Sequence, residues 1–188
     1  MDDNSTSLSN HFLIAMPNLA DPNFFHTVTL ICEHNDEGAL GIVINRPTDF
    51  SLGELLQQLG LIEDADRYAE IPVYSGGPVQ EEHGFIVHSP RGNWQHSLPF
   101  GEDLALTTSR DLLQGIVEGR GPEHMLVALG YAGWGPGQLE QELAENAWLT
   151  TPASHEILFE LPAEARWKAA AAQLGIDLDL LSGDAGHA

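Results

Sequence analysis

The sequence predicts an α+β domain: a mostly antiparallel, curled or barrel-like sheet with helices packed around it. Strand-like apolar runs outnumber helical stretches. The two kinds of segment do not alternate strictly, as βαβ units would. Successive strands are also separated by short turn signals of the kind that close hairpins.

The first run, Phe12-Leu13-Ile14-Ala15-Met16, is apolar and ends at Pro17, as a buried strand does. Asp21-Pro22 marks a turn inside 18–23. Val28 to Glu33 and Ala39 to Asn45 are β-rich and joined by His34-Asn35-Asp36-Glu37-Gly38, a hairpin signature with a glycine free to take a positive φ. Pro47 is expected to stop the second strand, because it has no N–H for a ladder. Ser51 and Glu54 form a capping-box pair for a helix over 52–59, closed by Gly60. Pro72 to Tyr74 is a short strand that runs into Gly76-Gly77-Pro78.

Gly84 to His88 (GFIVH), Trp94 to Leu98 and Leu104 to Thr108 read as three further strands. Ser109 is positioned to cap a helix over 111–118, with Gly119 and Gly121-Pro122 ending it. Met125 to Tyr131 is a nearly continuous apolar run, hence a central strand. Gly133-Trp134-Gly135-Pro136-Gly137 is expected to be a tight corner with Trp134 packed over it, leading into a helix over 138–146. That helix places Leu139 and Leu143 on the dry face and Glu140, Glu142 and Glu145 on the wet one. Trp148 to Thr150 reads as a strand, 154–159 as a helical turn and 163–174 as an alanine-rich helix. The tail 177–188 reads as at least half-ordered. A chain of 188 residues is long enough for one sizeable core, so a single domain over 1–188 is expected, with 1–10 flexible.

Charge narrows the function classes. Twenty-eight acidic residues face seven basic ones, giving a net charge of −21. Arg46, Arg67, Arg91, Arg110, Arg120, Arg166 and Lys168 are scattered singly. Nucleic-acid binders draw their affinity from clustered Lys and Arg against phosphate, so direct DNA binding is disfavoured. Diffuse acidity raises solubility and costs stability by self-repulsion, which salt relieves. Two readings of it stand: adaptation to a salt-rich cytoplasm, or an ordinary acidic bacterial protein. No apolar run approaches the roughly 18–20 residues of a membrane helix. The polar start MDDNSTSLSN has no secretory h-region, and the lone Cys32 cannot form an internal disulfide. The cytoplasm is therefore expected.

Catalytic and cofactor motifs are missing. Nine histidines include no H-x-x-x-H, no G-x-S-x-G elbow occurs, and neither a P-loop nor G-x-G-x-x-G is found. No metal or other cofactor is expected. Cys32, inside a strand, reads as a small core residue. Gly133–Gly137 could aim helix N–H groups at an anion but lacks the basic and hydroxyl residues of a phosphate site. The oddest polar group is Asn45-Arg46-Pro47 at the end of an apolar strand. Arg46 could bind a carboxylate or phosphate, or hold the structure by pairing with Glu33 or Glu37; the structural role is favoured.

Taken in order, HFLIAMP (11–17), DPNFFHTVTLICEHNDEGALGIVINRP (21–47), SGGPVQEEHGFIVH (75–88), LGYAGWGPGQLEQELAENAWL (129–149) and LGIDLDLLSGDAGHA (174–188) resemble the AlgH/YqgE family of bacterial cytoplasmic proteins, the AlgH branch in particular. The resemblance implies an α+β fold with a small barrel-like sheet and no established enzymatic activity. The AlgH branch carries the label of transcriptional regulator, linked to alginate production in pseudomonads. The recurring polar and turn positions it implies are Glu33, His34, Asn35, Asn45, Arg46, Gly76, Gly77, Pro78, His88, Trp134, Gln138, Glu140 and Asn146, with no catalytic role attached.

Two function classes follow. The first is a non-enzymatic regulator acting through a protein or small-molecule partner, with any effect on transcription indirect. The second is a small-molecule site, enzymatic or not, built from His34, Asn45, Arg46 and the Gly76–Pro78 turn, with Glu33, Asn35 and His88 nearby. The hairpin is expected to bring Glu33-His34-Asn35 and Asn45-Arg46-Pro47 to one neighbourhood.

Overall fold

The computed structural model describes residues 7–182. Among them the chain runs β1 (His11–Ala15), β2 (Val28–Asn35), β3 (Gly38–Val43), β4 (Pro47–Ser51), α1 (Leu52–Gln58), β5 (Pro72–Ser75), β6 (Val79–Ser89), β7 (Ser97–Phe100), β8 (Leu104–Thr107), α2 (Arg110–Val117), β9 (His124–Trp134), α3 (Gln138–Ala144), β10 (Trp148–Pro152), α4 (His155–Phe159), α5 (Ala163–Ala172) and α6 (Leu178–Ser182). Residues 1–6 and 183–188 of the expected flexible start and half-ordered tail lie outside the described residues. Ser7 to Asn10 run beside β2, where Leu8 N donates to His34 Nδ1 and Asn10 N to the Ile31 carbonyl.

The strands form one curled α+β sheet in the order β10-β1-β2-β3-β9-β6-β8-β7, with β4 and β5 attached beside β9. Every pair is antiparallel except β5 with β9. The curl brings β7 near β2. The outermost strands carry proline: Pro99 in β7, Pro152 in β10 and Pro47 at the start of β4. A proline has no N–H to offer an incoming strand, so these edges resist pairing with another chain. This corrects the reading of Pro47. It opens a new edge strand against β5, while β3 has already ended at Val43.

β9 is the hub. Along one edge, Val127 to Leu129 pair with Val73 to Ser75 of β5, and Ala132 to Trp134 pair with Gly41 to Ala39 of β3. The other edge belongs to β6. The exchange of neighbours falls at Gly130, in the left-handed region at φ +82°. There Gly76 N donates to the Leu129 carbonyl and Gly76 O accepts from Val43 N, linking β3 to β9. A Cβ on Gly77 would lie 2.1 Å from the Tyr131 carbonyl carbon, and one on Gly130 2.4 Å from the Gly77 oxygen. Two backbones cross here with no room for side chains. The strand at 125–131 extends to Trp134 because β3 supplies new partners beyond the crossing.

Other departures have local causes. β6 starts at Val79, directly after the glycine turn, and β7 falls at 97–100 instead of 94–98. Gly133 and Trp134 belong to β9, so only residues 135–137 make the corner. α3 stops at Ala144, and Asn146 adopts φ +63° where the helix was expected to continue. Ser51 and Glu54 form the reciprocal capping box. Ser109 does not cap α2; its Oγ donates to Asp111 Oδ1 and accepts from His96 N.

Three apolar clusters hold these elements. Phe12, Ile14, Leu30, Cys32, Ile42, Phe85 and Leu106 fill the inside of the curl, closed by α4 to α6 with Leu158, Ala170 and Ala171. α1 and α2 cover the outer face of β5, β6 and β9 through Leu52, Leu56, Leu112 and Ile116. Leu13, Ile31, Ala132, Trp134, Leu139 and Trp148 form the third cluster beneath α3. Strand β1 faces two of these clusters, which is why Phe12 to Ala15 are apolar without alternation. Burial pushes the Cys32 thiol far above its ordinary range, with the Glu33 charge adding to the shift, and leaves it a small core residue.

The third cluster has a polar pin. Trp134 Nε1 and Trp148 Nε1 both donate to Glu142 Oε1 at 2.9 Å, while Gln138 Nε2 donates to Glu142 Oε2 at 3.0 Å. Glu142, expected on the wet face of α3, instead satisfies two indoles. Glu142→Ala would leave both donors without an acceptor and should cost about 2–6 kcal/mol, at roughly 1–3 kcal/mol per orphaned buried group. Glu142→Gln, which keeps an acceptor, should cost less. Urea unfolding followed by tryptophan fluorescence checks both.

Candidate functional site

The hairpin separates the two polar groups it was expected to join. Asn35 pairs with Gly38 and Thr29 with Val43. Glu33-His34-Asn35 therefore lie at the turn end and Asn45-Arg46 at the open end, roughly 20–25 Å away at strand rise. At the turn end, His34 Nδ1 accepts from Leu8 N and Nε2 donates to Glu140 Oε2, both at 2.9 Å, which fixes the Nε2–H tautomer. Glu33 and Asn35, with Glu37 and Trp134, border a shallow depression.

At the open end, Asn45 Oδ1 accepts from Val28 N and Nδ2 donates to the His26 carbonyl. Arg46 pairs with neither Glu33 nor Glu37, whose strand positions are too far away. Its guanidinium donates to the carbonyls of Pro22, Asn23 and Phe25 at 2.7–3.1 Å and binds the 22–25 loop to the sheet. Burial lowers the Arg46 pKa, and Asp21 partly offsets that. Gly76 and Gly77, followed by Pro78, make the backbone crossing already described. Gln138 and Trp134 serve the Glu142 pin. These positions hold the fold; the structure does not gather them round one cleft.

A cleft opens elsewhere, on the outer face of the sheet between α1 and α2. It is a slot of about 180 Å³ with Ile86, Val127 and Leu129 on the floor and Leu55, Leu59 and Leu113 on the helical walls. Gly84 lies on the same strand face as Ile86, two residues away. A Cβ there would meet nothing within 4 Å, so its missing side chain leaves the slot open. Gly84 follows the irregularity in β6, where register with β9 shifts between Val79 and Gly84 opposite the Gly130 exchange. The mouth carries Glu82, Thr108 and Arg110, whose Nη2 donates to the Leu59 carbonyl. The start of α2 is already occupied by a carboxylate. Burial works against the Asp111 charge, but bonds from Ser109, Gln95 N and Leu112 N outweigh it and hold the carboxyl below its usual range.

Sequence reasoning missed this slot. Its one local signal was Gly84 heading an apolar strand, where a glycine marks either a bend or an absent side chain.

Behind the wall lies His88. Thr107, which borders the slot, donates to His88 Nε2 at 2.7 Å; Ser97 Oγ lies 2.7 Å from Thr107 Oγ1, and His88 Nδ1 donates to the Pro90 carbonyl at 3.0 Å. The ring is fully buried. Burial lowers its pKa below the ordinary imidazole value of 6.5, and the bond to Pro90 offsets this only in part. Between the unfolded and folded values the unfolded chain holds the extra proton. The stability His88 lends is thus complete above about pH 6.5 and is lost as pH falls through the folded value. Relative to His88→Gln, the wild type should lose thermal stability as pH falls below about 6.5. Parallel Tm-versus-pH curves would exclude this role.

A family model described as AlgH-like matches residues 12–179. A UPF0301 protein of Thioalkalivibrio sulfidiphilus is 61% identical over 184 residues, covering 98% of each chain. One from Nitrosococcus oceani is 55% identical over 179 residues, covering 95% of this chain and 96% of its own. The solution structure of AlgH from Pseudomonas aeruginosa superposes with a TM-score of 0.80 at 53% identity, covering all of both chains. A Corynebacterium diphtheriae protein of known crystal structure shares the fold at 20% identity, with a TM-score of 0.73 over 97% of this chain and 94% of its own. The match spans the strand exchange, the slot and the tryptophan pin alike, and the chain belongs to the AlgH-like family.

Proposed function

We propose that this protein is a cytoplasmic ligand-binding regulator without catalysis of its own, and that its ligand seat is the slot between α1, α2 and the β6–β9 face. The slot itself carries the reading: a mainly apolar recess with a few polar groups in its lining, Thr107 and Ser109 buried and Glu82, Thr108 and Arg110 at the mouth, which is the usual anatomy of a small-molecule site. A dry apolar cavity of about 150 Å³ takes up a benzene-sized molecule, so a recess of this volume accommodates one ring or one branched aliphatic group. Its lining offers hydroxyls, Glu82 and Arg110 but no histidine or thiol to activate a nucleophile, which supports binding over chemistry.

The net charge of −21 supports an indirect route to any effect on transcription. No helix among the described residues is long and apolar enough to cross a membrane. The alternative seat around His34, Asn45, Arg46 and Gly76–Pro78 loses its support because those groups spend their polar atoms on neighbouring backbone and on Glu140.

Gly84→Val tests the reading. The backbone at this position tolerates a side chain, and the new methyls would occupy the recess. The variant should fold, melt no lower than the wild type and lose the binding of toluene that the wild type shows by ligand-observed NMR. Toluene that binds equally to both proteins, or to neither, would contradict the proposal.

A further inference from the structure

The mouth of the slot specifies more than an apolar ligand. Two opposite charges, Arg110 and Glu82, border the same recess, and both are exposed. They are not paired with each other among the described residues; the salt bridges there are His34–Glu140, Arg120–Glu118 and Lys168–Asp179. Arg110 is bound to backbone more lightly than three of the other arginines. Arg46 and Arg91 each donate three hydrogen bonds to carbonyls and Arg166 two, whereas Arg110 donates one, to Leu59, as Arg67 does to Val117. A guanidinium has five N–H donors, so most of this fork remains available at the mouth.

A simple carboxylic acid seated in the slot would meet Arg110 but also the like charge of Glu82. A simple amine would meet Glu82 and be repelled by Arg110. A ligand that carries both charges on one carbon, next to a branched or aromatic group of the size the recess holds, satisfies both. We infer that the slot binds a free α-amino acid with an apolar side chain, of the leucine or phenylalanine class. The carboxylate lies on the Arg110 fork, the ammonium faces Glu82, and the side chain fills the space that Gly84 leaves. This rests on the slot being a ligand seat and adds the ligand's class.

The test compares L-leucine with its two halves by calorimetry and thermal shift on the full chain. Isoamylamine lacks the carboxylate and 4-methylpentanoate lacks the ammonium. Leucine should raise the Tm and bind about tenfold or more tightly than either half, as expected when a charged hydrogen-bond partner is removed. Arg110→Met should erase the advantage over isoamylamine, and Glu82→Gln the advantage over 4-methylpentanoate. Both side chains are exposed, so the fold should survive; circular dichroism confirms it. Either half binding as well as leucine, or both variants retaining full discrimination, overturns the inference. Toluene binding that Gly84→Val abolishes, without any amino-acid binding, leaves the ligand seat standing and sinks only the amino-acid assignment. Absence of binding by toluene and by leucine sinks both.

Discussion

The structure depends on one close approach of two backbones, where Gly76-Gly77 crosses β9 at Gly130. One strand serves two different neighbours along a single edge, β5 before the crossing and β3 after it. Such an exchange needs the departing strand to leave within one or two residues while its hydrogen bonds pass to the next. Gly76 does this directly, donating to Leu129 and accepting from Val43. Any side chain at Gly77 or Gly130 would push the backbones apart and break the join between the two halves of the sheet. The curl and the separation of the three apolar clusters follow from that join.

The slot follows from it as well. β6 cannot keep register with β9 past the exchange, and its irregular stretch from Val79 ends at Gly84, where the sheet face is bare. α1 and α2 lie over the same face and bury their inner sides in one cluster, but above Gly84 they have nothing to pack on. A recess between them is the geometric remainder of the strand exchange. The few cations show a parallel economy: Arg46, Arg91 and Arg166 act as crosslinks to backbone carbonyls, with Arg166 buried over the Tyr74 ring and donating to the Ile44 and Leu161 carbonyls. Most of the acids are left to solvent, which keeps the net charge strongly negative.

Much of the fold was legible in the sequence because local rules governed it. The hairpin over 28–43, the capping box at Ser51 and Glu54, the apolar run of β9 and the packing of Cys32 each rest on periodicity or on residues close in sequence. What was not legible depended on long-range pairing. Pro47 stops a strand by local reasoning, yet opens one when the neighbour is an edge. Glu142 reads as a wet-face acid until Trp134 and Trp148 are seen converging on it. The polar residues of the hairpin form one site only if its two ends meet; register alone decides that, and it sends Arg46 to the 22–25 loop. The slot was hidden for the same reason: α1 and α2 are more than fifty residues apart in sequence, and only the folded sheet sets them side by side over Gly84.

The exchange on β9 leaves an accessible apolar recess on the outer face of the sheet, between α1 and α2. Methyl-resolved NMR under xenon pressure tests this most directly, because xenon enters apolar voids without needing any particular polar contact. Shifts are expected at the methyls of Leu55, Leu59, Ile86, Leu113, Val127 and Leu129. Shifts concentrated at Ile14, Leu30 and Ile42 inside the curl, with the slot methyls unmoved, would contradict this.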